Sequence, residues 1–453
     1  MTLPLAHGLV GKQDLPIPEW LFGWAAAVVL IVSFVALATL WPAPRLETPR
    51  RRRLPVPLGR AVTSPVLEVV LGAASVGLLV LVVYAGLAGS QSASRNLAPT
   101  FVYVFFWLGL VPASVMLGDV FRLLNPWRAL GKGAGWLFGR FAGDEPAQPL
   151  EYPERIGRWP AVLGLSAFAW LELASRSGNE PRSIAIAALV YTGATLIAMS
   201  LYGVDRWLER GEAFSVYFNL YARISPWERD GREVFLRPPL SGLPSLPSAA
   251  GTVALLAVMI GSVSFDGLAE GALWGDASAE LVPFFSDLGL SAAAALEASS
   301  TIGLTLAVLL VAAFYRLGVA GAKTGGGGHD SRSLARGFAH TLVPIALVYA
   351  AAHYFTLLIY QGQAIDFLAA DPLGNDPEAD RSIDFGVIGA NAVWYWQVGF
   401  VVSGHAAALA LAHDRALVLY EKSKLAARSQ YWMLAVMVGF TTLALWLLSE
   451  ANG

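Results

Sequence analysis

Four residues set in apolar stretches are of types that do chemistry: Glu172 in "FAWLELAS", Glu297 in "AAALEASS", His353 in "YAAAHYF" and Gln397 in "WYWQVGF". A polar side chain in hydrocarbon is costly unless a partner satisfies it, so such residues face a bundle interior or a watery cavity and often mark function. A helical rise of about 1.5 Å per residue, counted from the expected helix ends, places all four roughly 8 to 12 Å beneath the same membrane surface. Residues of these types at one level could do three things. His353, Glu297 and Glu172 could ligate one divalent ion (zinc, manganese or iron), because an imidazole nitrogen with two carboxylate oxygens is an ordinary donor set. The same groups could relay or couple protons, since burial favours the neutral form of both carboxyl and imidazole. They could also hold helices together by hydrogen bonds alone.

The elements that must position these residues are membrane helices. Of 453 residues 56% are hydrophobic and 14% charged, and the mean hydropathy is +0.55, far from the range of soluble globular chains. A bilayer core takes roughly 20 apolar residues per helix. Counting such runs gives about ten spans, at 20–41, 66–89, 100–118, 159–177, 183–203, 249–264, 291–314, 337–360, 389–412 and 430–449. The expected fold is therefore an all-α polytopic bundle, one integral membrane domain over 1–453. Basic residues follow the first span (Arg45, Arg50 to Arg53, Arg60) and recur in 119–158, 204–248, 315–336 and 413–429. Only Lys12, Arg95, Arg176, Arg182 and Arg381 of the 31 lysines and arginines fall on the other side. Retention of positive charge in the cytoplasm predicts both termini outside, in a bacterial inner membrane. The first residues lack a basic stretch followed by an apolar core, so no cleavable signal peptide is expected.

Several chemistries are excluded or disfavoured by the residues present. There is no cysteine, which removes disulfides, thiolate metal sites and cysteine nucleophiles, and a net charge of −2 gives no reason to expect nucleic acid as partner. "KTGGGGHDS" at 323–331 has its glycines after the lysine, the reverse of a phosphate loop, and reads as a linker. Two basic-side segments, "GDVFRLLNPWRALG" at 118–131 and "GEAFSVYFNLYARISPWERDG" at 211–231, both begin Gly-acid-x-Phe and reach Pro-Trp. They read as amphipathic helices lying at the interface, anchored by Trp127, Trp136, Trp207 and Trp227. His413 and His340 fall near the basic side, where solvation explains them. His405, among small residues in "SGHAAA", reads as a packed, hydrogen-bonded histidine. Asp266 and Trp274 follow the short sixth span and read as surface loop, and Pro112 and Pro344 as kinks.

The N-terminal "HGLVGKQDLPIPEWLFGWAAA", the arginine-rich first loop, the "NPWRAL" loop and "GHAAALALAHDRAL" resemble bacterial multi-pass membrane proteins known as fenitrothion hydrolases. The resemblance implies hydrolysis of a lipophilic aryl phosphorothioate triester to a nitrophenol and a dialkyl phosphorothioate. Such chemistry calls for a metal-activated hydroxide, for which the resemblance implies His353, Glu297 and Glu172 as ligands or, for either Glu297 or Glu172, as base, with Gln397 orienting water. Two other classes fit the residues: a proton-coupled transporter of a small solute through the same centre, and a non-catalytic subunit of a membrane complex.

Overall fold

The computed structural model describes residues 19–141, 148–323, 328–376, 378–420 and 423–451. The N-terminal part of the family-like stretch, Lys12 and most of the glycine run lie outside the described residues. Helix accounts for 74% of the chain and strand for 2%. Among the described residues seven helical segments are long and apolar enough to cross a membrane: Gly23–Leu40, Val56–Ala88, Leu97–Leu117, Pro181–Tyr202, Thr252–Ala269, Ala292–Lys323 and Ser331–His353. The remaining expected runs also fall on helices, namely Trp159–Leu173, Ala390–Leu419 and Ser423–Ala451. This is a helical, multi-pass membrane protein.

Burial separates the hub from the rim. In Thr252–Ala269, 72% of the apolar window is buried inside the protein, against 11% in Val56–Ala88. The rim helices instead present Val28, Val32, Val66, Val69, Val190 and Leu309 outward, an apolar exterior suited to lipid. The hub packs against Trp159–Leu173, Ala292–Lys323 and Leu342–His353, and the last of these lies along Ala390–Leu419. That close pair depends on Gly404, where any added methyl would intrude on the side chain of Val348.

Two membrane helices are irregular. Phe101–Gly109 is wound as a π-helix and passes into the α-helix Leu110–Leu117 ahead of Pro112, whose missing N–H interrupts the ordinary ladder. The segment expected at 337–360 is divided: Ser331–Phe338, a 3-10 turn at Ala339–Thr341, Leu342–His353, then a break at Tyr354 before Phe355–Gln361. Pro344 sits in the first turn of its helix, where the absent N–H has no bond to lose.

The two loops with matching Gly-acid-x-Phe openings depart from the expected surface helices. Ala213–Ala222 is a core helix: Phe214, Tyr217, Phe218, Leu220 and Tyr221 are all buried. It begins on Glu212, which is fully buried and accepts from Phe214 N at 2.9 Å, Ser215 N at 2.7 Å, Asn125 Nδ2 at 3.2 Å and the Tyr191 hydroxyl. Saturating a carboxylate in this way is what allows a polar loop to enter the core. The reciprocal bond also exists, Asn219 Nδ2 donating to Asp119 Oδ2 at 3.0 Å, so each loop's asparagine holds the other's acid. Trp127 is buried and donates to Thr192 Oγ1 at 2.9 Å, so it packs in the interior, whereas Trp136 is exposed as an anchor would be.

Trp227 lies in a small antiparallel sheet, absent from an all-α expectation. Strands Arg52–Arg53, Trp227–Asp230 and Glu233–Leu236 pair with Glu233–Leu236 in the middle. Gly231 turns the hairpin at φ +59. Ion pairs from Arg51 to Glu228 and from Arg53 to Glu233 then clip the first basic loop to it.

Candidate functional site

Asp266 lies within the hub helix, since Thr252–Ala269 runs five residues beyond the expected end at 264. Its side chain is 5% exposed, which corrects the reading of this residue as surface loop. The helix that carries His353 stops at that residue, and Tyr354 takes a non-helical conformation at φ −92, ψ 11. The imidazole thus ends a helix beside the hub, with Nε2 2.9 Å from Oδ2 of Asp266 and the carboxylate accepting. The ring lies over Gly267, at ordinary contact distance from where a Cβ would stand.

Glu172 is near the end of Trp159–Leu173 and interacts electrostatically with Asp266. Its Oε2 is buried and, among the described residues, has no hydrogen-bond partner. Tyrosines surround this pair of acids. Tyr354 interacts with Asp266 and Glu172, and Tyr103 and Tyr217 with Glu172. The Tyr103 hydroxyl donates to Gly178 O at 2.6 Å, and the Trp107 ring packs edge-on to Tyr354 at 4.9 Å. Tyr103 and Trp107 both belong to the π-helix, a form that recurs at functional sites. Asp266 thus bonds both His353 and Tyr354, and Glu172 lies within electrostatic reach of Asp266 and Tyr354, with Tyr103 and Trp107 of the π-helix alongside.

The other two expected site residues act on backbone. Gln397 is 4% exposed and donates from Nε2 to Ala352 O at 2.9 Å, steadying the carbonyl beside His353. Glu297 accepts from Arg176 N at 2.9 Å, which holds the turn that follows the Glu172 helix. Gln397 thus steadies the end of the His353 helix, and Glu297 the turn after the Glu172 helix. Among the described residues no group of three or more His, Asp or Glu side chains is arranged to hold a metal ion, and Asp266 with His353 offers two donors.

Comparison with protein-family models, curated proteins and solved structures finds no match. The chemistry must be read from the residues themselves.

Other buried polar groups are satisfied in ways that point to architecture. Asp414, fully buried, accepts from Trp41 Nε1 at 2.9 Å, Arg45 N at 2.6 Å, Leu46 N at 2.9 Å and Glu47 N at 3.0 Å, gripping the loop after the first helix. His413 is buried rather than solvated: Nε2 donates to Trp41 O at 3.1 Å, and Nδ1 accepts from Gln430 Nε2 at 3.2 Å. His405 is fully buried and donates from Nδ1 to Val401 O at 2.7 Å within its own helix, as packing among small residues requires.

Proposed function

We propose that the protein is a proton-coupled carrier of a small solute, with Glu172, Asp266 and His353 as the proton-binding centre. One observation carries this reading: a membrane-buried carboxyl with an unpartnered oxygen stands beside a hydrogen-bonded carboxylate–imidazole pair at a break in a membrane helix. Buried carboxyl and imidazole groups facing one another within membrane helices are the kind of set that carries proton relays in pumps and transporters. Broken helices are where carriers build such sites, because the freed backbone groups line a cavity there. Tyr354 at the break and Tyr103 on the π-helix would pass hydrogen bonds between the acids as the proton moves. In this reading the basic loops and sheet face the cytoplasm of a bacterial inner membrane, with both termini outside.

The test is proton flux in vesicles containing the purified chain and a pH-sensitive dye, challenged with pools of small solutes. A solute-dependent flux that vanishes in Glu172→Gln and Asp266→Asn supports the reading. Flux unchanged in both variants sinks it.

A second reading, hydrolysis of a lipophilic phosphotriester, draws on the partial exposure of the His353 side chain, 12%. With Asp266 fixing its tautomer, His353 would take the proton from a water attacking phosphorus. The resemblance to fenitrothion hydrolases points the same way. Two donors do not make a metal site, so this reading rests on His353 as base and not on a bound ion. Release of nitrophenol from fenitrothion, lost in His353→Ala, distinguishes this reading from transport.

A further inference from the structure

About 20 Å from the proton centre along the hub helix, counted over the residues from Thr252 to Asp266, a cavity of about 600 Å³ opens at the basic end of the bundle. Arg332, Arg336 and Arg415 line it, with His340, Thr252 and Ser333. Its lining acid, Asp330, is committed elsewhere, and so is the charge of Arg415. Asp330 accepts from Arg332 N at 2.8 Å and Ser333 N at 2.9 Å as the cap of the Ser331–Phe338 helix, and Glu47 pairs with Arg415 at 2.8 Å. Among the described residues the guanidinium groups of Arg332 and Arg336 make no ion pair. They stand exposed one turn apart on the same helix.

The wall behind them is built. His340 is 3% exposed, its ring bonds the backbone of Gly337, and among the described residues Nε2 has no partner. The opposite wall, residues 244–252, is pinned by arginines: Arg415 Nη2 donates to Pro244 O at 2.9 Å and Arg158 Nη1 to Thr252 Oγ1 at 2.8 Å. A cavity of this volume with two free guanidinium forks, hydroxyls and a spare imidazole nitrogen matches a compact polyanion with hydroxyl or protonated oxygens.

We propose that this cavity binds a phosphate-bearing ligand, its phosphate held by Arg332 and Arg336 and a hydroxyl or protonated oxygen bonded to His340. The same phosphate chemistry is offered by a soluble phosphorylated molecule and by an anionic phospholipid headgroup. Neither source depends on the proton centre.

The experiment is equilibrium binding to the full chain in detergent, with inorganic pyrophosphate and short-chain phosphatidic acid as probes and short-chain phosphatidylcholine as control. The expected result is saturable binding of one probe molecule per chain, weakened at least tenfold in Arg332→Gln/Arg336→Gln. Weakening in His340→Gln is also expected, while Arg206→Gln, an exposed arginine elsewhere, leaves binding unchanged. Binding of both probes identifies a soluble phosphate as sufficient, and binding of phosphatidic acid alone identifies a headgroup. The exposed positions of Arg332 and Arg336 keep the fold out of question, checked by an unchanged melting temperature without ligand. No saturable binding of either probe, or equal affinity in the double variant, overturns the proposal.

Discussion

Gln397 reaches across from its own helix to hold the carbonyl of Ala352, the residue before His353, at 2.9 Å. The last carbonyls of a helix have no intrahelical donor, so this amide supplies one where the helix stops. Gln397→Leu should cost about 1 kcal/mol of stability and reduce proton coupling by more than that loss explains. Melting and flux measured on the same preparation check this; a variant that melts early yet couples normally would make Gln397 a purely structural contact.

Glu172 and Asp266 are expected to be energetically coupled. Glu172→Gln and Asp266→Asn each remove one acid from the shared set, so the second substitution changes less than the first. A double-mutant cycle on proton uptake should give an interaction of about 0.5–3 kcal/mol, the range for groups in one network. Additive effects would place the two acids in separate sites.

Glu212→Ala should be among the most destabilising single changes in the protein. It removes the cap of Ala213–Ala222 and leaves Asn125, Tyr191 and two backbone amides without their acceptor in the core. Several lost partners at about 1–3 kcal/mol each predict a large fall in melting temperature. Glu212→Gln, which keeps part of the set, should fall in between.

Gly404→Ala should destabilise by about 1–3 kcal/mol through overpacking against Val348. Val348→Ala, placed in the same chain, should recover part of the loss by making room. Failure of that rescue in thermal melts would mean the helix pair is not limited by this contact.

The acidic loop at 371–381 has a definite pH response. Amides of Asp376 and Asn375, together with Arg381, hold the Asp371 carboxyl below its ordinary value. A depressed value means that the loop gains stability from the carboxylate above the ordinary aspartate range, near pH 3.9, and loses it as pH falls through the lower folded value. Amide exchange at Asn375 and Asp376 should therefore stay slow from neutral pH down to that range, once corrected for intrinsic rates, and quicken only below it. Asp371→Asn should give fast exchange at all pH values.

Much of this arrangement was legible in the residues. The count of rise per residue singled out Glu172 and His353, the residues that the structure sets beside Asp266. The same count set Gln397 and Glu297 at that level, but depth carries no information on which way a side chain points, and both turned to backbone. Asp266 was missed because an apolar run ends at a charge, although a helix continues through one when a partner such as His353 waits for it. Tyr103 and Trp107 gave no signal, since aromatic residues in an apolar stretch look like ordinary core and a π-helix has no composition of its own. The Ala213–Ala222 helix misled for the opposite reason: an acid followed by tyrosines resembles an interfacial anchor, and only the distant donors of Asn125 and Tyr191 make its burial affordable.

The segment from Ser331 to Gln361 is jointed twice, at Ala339–Thr341 and at Tyr354. Its first piece bears the arginines of the basic cavity and its second ends in the imidazole. Tyr354 is buried, its ring against both Trp107 and His353 and its side chain bonded to Asp266. The joint and the acid–base pair therefore share one set of neighbours, and neither can be repacked without the other.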